Sequence, residues 1–113
     1  MKNLFISTVQ ATTLKILGFD EPCFAWTTPN EDNFVISPCE KYNGRENLMT
    51  QTPTYDQALS FLLKLVPRYS YRMCYNDTGE VTSGGQPYDI FNNKGELVDL
   101  LIRLVKENEK RGN

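Results

Sequence analysis

The stretch from Thr52 to Val66 constrains the fold more than any other part of the chain. Thr54 suits the N-cap, where its hydroxyl accepts from free backbone N–H groups, and Gln57 completes a capping box three residues later. Pro53 lies just outside, where a missing N–H does no harm. At the helical period Tyr55, Ala58, Leu59, Leu62, Leu65 and Val66 share one broad face, with Phe61 and Leu63 at its margins. Asp56, Gln57, Ser60 and Lys64 take the other side. So wide an apolar stripe must be buried, and a sheet made from the flanking segments is the most economical partner. The helix speaks to architecture and not to chemistry.

A chain of 113 residues reads as one domain over 1–113, with an ordinary globular balance of apolar and charged side chains. The net charge of −2 is small. Residues 1–50 carry four basic and six acidic side chains, and residues 51–113 carry eight of each. Neither half is the basic body of a protein that binds nucleic acid by charge alone. No run approaches the roughly 18 apolar residues of a membrane span, and the N-terminus does not read as a signal peptide. Three widely spaced cysteines (Cys23, Cys39 and Cys74) form neither a metal pattern nor an even disulfide framework. Free thiols in a reducing cytoplasm are the simplest reading, and no cofactor or metal is implied.

Taken in order, Ser7 caps a first helix that ends at Gly18, with Ile6 and Ala11 placed as a hydrophobic staple. Phe24 and Trp26, alternating with Cys23, Ala25 and Thr27, read as a strand after Pro22. A turn over 29–33 and the short strand Phe34-Val-Ile36 complete a hairpin. Residues 37–47 read as loop, and Leu48 and Met49 add a short strand before the central helix. After Pro67 the period becomes two: Tyr69, Tyr71, Met73 and Tyr75 face one way, and Ser70, Arg72 and Cys74 the other. Residues 76–79 are a turn, 80–83 return as a strand, 83–87 form a flexible break, and 88–91 are a last apolar segment. Asn93 and Glu96 begin a third helix with Leu97, Leu100, Leu101, Leu104 and Val105 as its stripe, before a charged, frayed tail over 106–113. The expected fold class is α+β, in the order α-β-β-α-β-β-α, with helices on a mainly antiparallel sheet.

The chemistry is sparse. There is no histidine, which removes the commonest general base, metal ligand and activator of a nucleophile. Asp77-Thr78-Gly79 has the letters of an aspartic-protease loop, yet Asn76 before it and Glu80 after it make a hairpin turn. Asp20-Glu21 and Glu31-Asp32 are candidates for one end of a hairpin and a divalent cation, although such pairs are commonly solvated. Cys23 at a strand start is either reactive or, more simply, a partly buried structural thiol. Tyr69, Tyr71 and Tyr75 with Arg68 and Arg72 resemble a sheet on which bases stack, although a row that covers the core is the simpler reading.

Two stretches carry a resemblance: Gly18-Phe-Asp-Glu-Pro-Cys-Phe-Ala-Trp26 and Pro53-Thr-Tyr-Asp-Gln-Ala-Leu-Ser-Phe-Leu62. Together they resemble a family of small uncharacterised proteins of gut Bacteroidales and of their phages and mobile elements. The resemblance covers roughly residues 14–66, and the loop over 37–47 is longer than the family pattern. It implies a setting and supplies no mechanism. The leading expectation is therefore a non-enzymatic protein-interaction or accessory module of a phage or mobile element. Its partner would be another protein, with Trp26, Tyr42 and the row Arg68, Tyr69, Tyr71, Arg72 and Tyr75 as contact surface. The alternatives are a single-stranded nucleic-acid-binding domain using Arg68, Arg72 and Lys64 beside exposed tyrosines, and a small histidine-free enzyme. No membrane partner is expected, and an exposed sheet edge leaves a dimer open.

Overall fold

Helix formation begins where the side chains supply caps. In a computed structural model, which describes residues 4–23, 25–27, 34–36 and 50–111, the chain is α+β. Its order is α1 (Thr8–Ile16), β1 (Ala25–Thr27), β2 (Phe34–Ile36), β3 (Thr50–Thr52), α2 (Tyr55–Leu65), β4 (Tyr69–Met73), β5 (Gly79–Ser83), β6 (Gln86–Phe91) and α3 (Lys94–Arg111). Two strands exceed the expected order. The first, β3, occupies Thr50–Thr52, while Leu48 and Met49 lie outside the described residues. The second, β6, takes in the apolar segment at Tyr88 and starts at Gln86, because the expected break at 83–87 is a tight turn. Gly84 and Gly85 have φ of 60° and 82°, the left-handed pair that a two-residue hairpin loop requires.

The chain divides into two units, Met1–Ala58 and Leu59–Asn113, each with an antiparallel three-stranded sheet. In the first, β1 is central in the order β2-β1-β3. Trp26 lies opposite Val35 on one side and Gln51 on the other. A short bridge between Phe5 and Thr54 extends the sheet beyond β3, and the Ile6 amide donates to the Pro53 carbonyl at 3.2 Å. Ser7 and Gln10 form a reciprocal capping box at the start of α1. Ile6 and Ala11 are both buried, as the staple requires. Gly18 follows the C-cap with φ of 107°, in keeping with a helix stop.

The second unit has the order β4-β5-β6. Its buried face carries Tyr69, Val81 and Phe91, and α3 lies against β6. The stripe Leu97, Leu100, Leu101, Leu104 and Val105 is buried throughout, together with Val98 and Ile102. Asn93 Oδ1 accepts from the Glu96 amide at 2.8 Å, and Glu96 Oε1 in turn accepts from the Asn92 amide at 3.2 Å. The tail expected to fray at Lys106 continues as helix to Arg111. Along α2 the expected faces hold: Ala58, Leu59, Leu62 and Val66 are buried, while Asp56, Ser60 and Lys64 are exposed.

Candidate interaction surface

Strand alternation decides which of the predicted contact residues meet. On β4, Tyr69 and Tyr71 point to the buried face, and Ser70 and Arg72 point to the open one. Tyr69 is buried because it stands edge-on to Tyr88, with ring centroids 5.3 Å apart, while the Arg68 guanidinium lies 5.3 Å from its ring centre. Tyr71 is half-buried and edge-on to Phe91 at 6.5 Å. The base-stacking arrangement, tyrosines beside Arg72 on one face, is therefore split across the two faces of the sheet. Trp26 leaves the contact surface altogether: it lies on the central strand β1 and is 2% exposed. Tyr42 lies outside the described residues.

Tyr75 is the exception. The expected alternation ends at Met73, and Tyr75 sits in the turn between β4 and β5 with its side chain fully exposed. The Cys74 amide donates to the Thr78 carbonyl at 2.8 Å, and the Asp77 amide donates back to the Cys74 carbonyl at 3.0 Å. Asp77 takes the left-handed position with φ of 66°, and Asn76 Oδ1 accepts from the Thr78 hydroxyl at 2.7 Å. This is a three-residue loop with a left-handed third residue, which needs no ligand to hold its shape. Asp77-Thr78-Gly79 is thus a hairpin turn and not a protease loop.

The same hydrogen bonds set the direction of every backbone group on β4. Because Cys74 bonds inward to β5, so by alternation do Arg72 with Glu80 and Ser70 with Thr82. The amides and carbonyls of Tyr71 and Met73 then point away from β5, to an edge that no other described strand occupies. Tyr69 confirms the sense, since its amide turns away from β5 to donate to the Val66 carbonyl at 3.0 Å. The far edge is different. On β6 Pro87 has no N–H, and Tyr88 is unmatched between Pro87 and Asp89, which pair with Thr82 and Val81. The outward Ile90 amide already donates to Asp89 Oδ1 at 2.8 Å. Asp89 Oδ2 accepts from the Arg103 guanidinium of α3 at 2.9 Å. The Ile90 amide first, and Arg103 second, hold the Asp89 carboxyl below its ordinary range. One edge of this sheet is guarded three times over, and the other has no partner strand among the described residues.

The opposite face carries Ser70, Arg72, Glu80 and the buried Thr82, with a hydroxyl contact of 2.9 Å between Ser70 and Thr82. Ile90, opposite Glu80, is 71% exposed and was not among the predicted contacts. Its signal in the sequence was its place next to Phe91, which is buried. On α1, Val9 and Ile16 also face outward, and Thr12 and Thr13 between them donate their hydroxyls to the Thr8 and Val9 carbonyls.

Of the candidates for chemistry, Cys23 is buried, its thiol 3.4 Å from the Glu21 carbonyl. Burial, with the Glu21 charge adding, pushes the thiol up to about 12, the opposite of an activated nucleophile. Asp20 and Glu21 are exposed, and Glu31 and Asp32 lie outside the described residues, as does Cys39. Among the described residues no cluster of histidine, cysteine or carboxylate has metal-site geometry, and no helix is long and apolar enough to cross a membrane. Neither a family model, nor a curated protein, nor a solved structure matches this chain.

Proposed function

We propose that the chain is a protein-interaction module whose contact surface is the bare edge of β4 and the adjoining Tyr75 turn. In the setting that the resemblance implies, it would act as a non-enzymatic accessory protein of a phage or mobile element. The observation that carries this reading is the pairing of two features at one end of the second unit. A fully exposed tyrosine contributes nothing to the core, and it stands beside outward amides and carbonyls that have no partner strand among the described residues. Edge groups of this kind recruit an extended segment through main-chain hydrogen bonds, and an aromatic anchor beside them supplies binding energy. The nucleic-acid reading draws less support, because Tyr69 and Tyr71 face inward while Arg72 faces outward.

The test is affinity capture by the tagged full chain from a lysate of a gut Bacteroidales species, with and without nuclease, beside the Tyr75→Ala variant. The expected result is a near-stoichiometric protein partner that survives nuclease, with binding weakened about tenfold in the variant. Nucleic acid lost on nuclease treatment, with no protein retained, would sink the reading in favour of the single-strand binder.

A further inference from the structure

We propose that the occupant of the β4 edge is a second copy of this chain, its β4 running antiparallel about a two-fold axis at Tyr71. This rests on the interaction-module reading and names the partner. Only residues whose backbone groups point outward can bond across the new edge, which restricts the pairing to the set Tyr69, Tyr71 and Met73. The sequence and the turn decide among the registers. An axis at Met73 would oppose Tyr71 to Tyr75 of the partner, beyond the end of the strand and inside the turn. An axis at Ser70 would pair Tyr69 with Tyr71 of the other copy, so that every pair loses the Tyr69 amide, which already donates to Val66. An axis at Arg72 would set two arginines directly opposite each other with no intervening carboxylate, an unfavourable cross-strand pair.

The axis at Tyr71 also forgoes the Tyr69 amide, but it keeps both hydrogen bonds between the two Tyr71 residues and avoids the turn and the arginine pair. Tyr71 and its symmetry mate exchange both backbone hydrogen bonds, and each Met73 amide meets the free Tyr69 carbonyl of the other copy. On the inner face the two Tyr71 rings adjoin, flanked by Tyr69 against Met73. On the open face Ser70 lies opposite Arg72 of the other copy, a neutral hydroxyl beside a guanidinium. The contact is isologous, each copy using the same patch. The guarded edge at β6 offers no competing site, since Pro87, the bulge at Tyr88 and the occupied Ile90 amide close it. A heterologous extended strand is the rival occupant.

Sedimentation equilibrium of the full chain over a wide concentration range decides the matter, with two variants of Ser70. The wild type is expected to pass from the 13.0 kDa monomer to twice that mass as concentration rises. Ser70→Lys places a lysine against Arg72 of the other copy twice per dimer and should weaken association about tenfold. Ser70→Glu makes two attractive pairs instead and should tighten it by a similar factor. Opposite responses at one exposed position have no explanation in misfolding. A chain that stays monomeric at millimolar concentration overturns the proposal, as does a dimer that both variants shift the same way. A monomeric chain that still holds a nuclease-resistant partner through Tyr75 overturns only the self-pairing and leaves the interaction reading in place. One that does neither removes both.

Discussion

Gln57 donates from Nε2 to the Pro22 carbonyl at 3.0 Å while its Oε1 accepts from the Thr54 amide at 3.1 Å. One side chain therefore closes the cap of α2 and ties that cap to the segment leading into β1. The stretches Gly18–Trp26 and Pro53–Leu62 meet at this residue. Nearby, Gln51 Oε1 accepts from the Cys23 amide at 3.0 Å, so the link is doubled.

The double role separates two substitutions. Gln57→Ala loses both bonds and should cost about 2 kcal/mol, near 1 kcal/mol for each. Gln57→Glu keeps an acceptor for the Thr54 amide and loses only the donor to Pro22, so it should cost roughly half as much. Urea denaturation of both variants measures the difference. Equal losses would show that one of the two bonds contributes nothing.

The thiols should differ sharply in reactivity. Cys23 is buried with its pKa pushed up, and Cys74 is exposed. Maleimide labelling read by peptide mass mapping is expected to modify Cys74 in the folded chain and Cys23 only in denaturant. The raised value also sets an alkaline limb of stability. The buried neutral thiol contributes fully below its ordinary value near 9, and the contribution falls away as pH rises toward about 12. One such group gives a slope of about 1.4 kcal/mol per pH unit in that window, which Cys23→Ala should flatten.

Asp89 gives the complementary acid limb. Its carboxyl is held low by the Ile90 amide and Arg103, so its contribution is present above the ordinary carboxylate range and lost as pH falls through the folded value. Melting temperatures between about pH 6 and pH 3 should fall more steeply for the wild type than for Asp89→Asn. Parallel curves would refute the contribution. Because the ion pair is largely exposed, the difference should shrink in high salt.

Gly79 is required by space. A Cβ there would overlap the Arg72 carbonyl oxygen and come within 2.8 Å of the Phe91 ring. Both groups are held, one by the strand pairing and the other by burial. Gly79→Ala should therefore cost about 2–3 kcal/mol in chemical denaturation, far more than an alanine on an exposed strand.

The elements with local signals were legible in the sequence. Thr54 with Gln57, Ser7 before α1, and Asn93 with Glu96 announced helix starts because capping is a matter of side chains three residues apart. The alternation along 69–73 likewise placed Tyr69 and Tyr71 against Arg72. The burial of Trp26 was not legible, because it depends on β1 being central, and strand order is a long-range fact. Nor could the hairpin at Gly84-Gly85 be told from a flexible break, since two glycines suit both until their φ values are known. Tyr75 was singled out as part of a row, and its exposure comes from leaving that row for the turn. The inequality of the two sheet edges was out of reach, because it rests on backbone direction and on the Asp89 carboxylate folding back onto its neighbour.

That inequality also governs stoichiometry. A sheet that accepts strands at both margins adds copies without limit and grows into a filament. Here the margin at Pro87, Tyr88 and Ile90 is closed, so whatever joins the second sheet at β4 joins it once, and the assembly ends there. The proline, the extra residue and the carboxylate act as a chain terminator: this sheet can gain one partner strand at β4 and offers no second margin for a series.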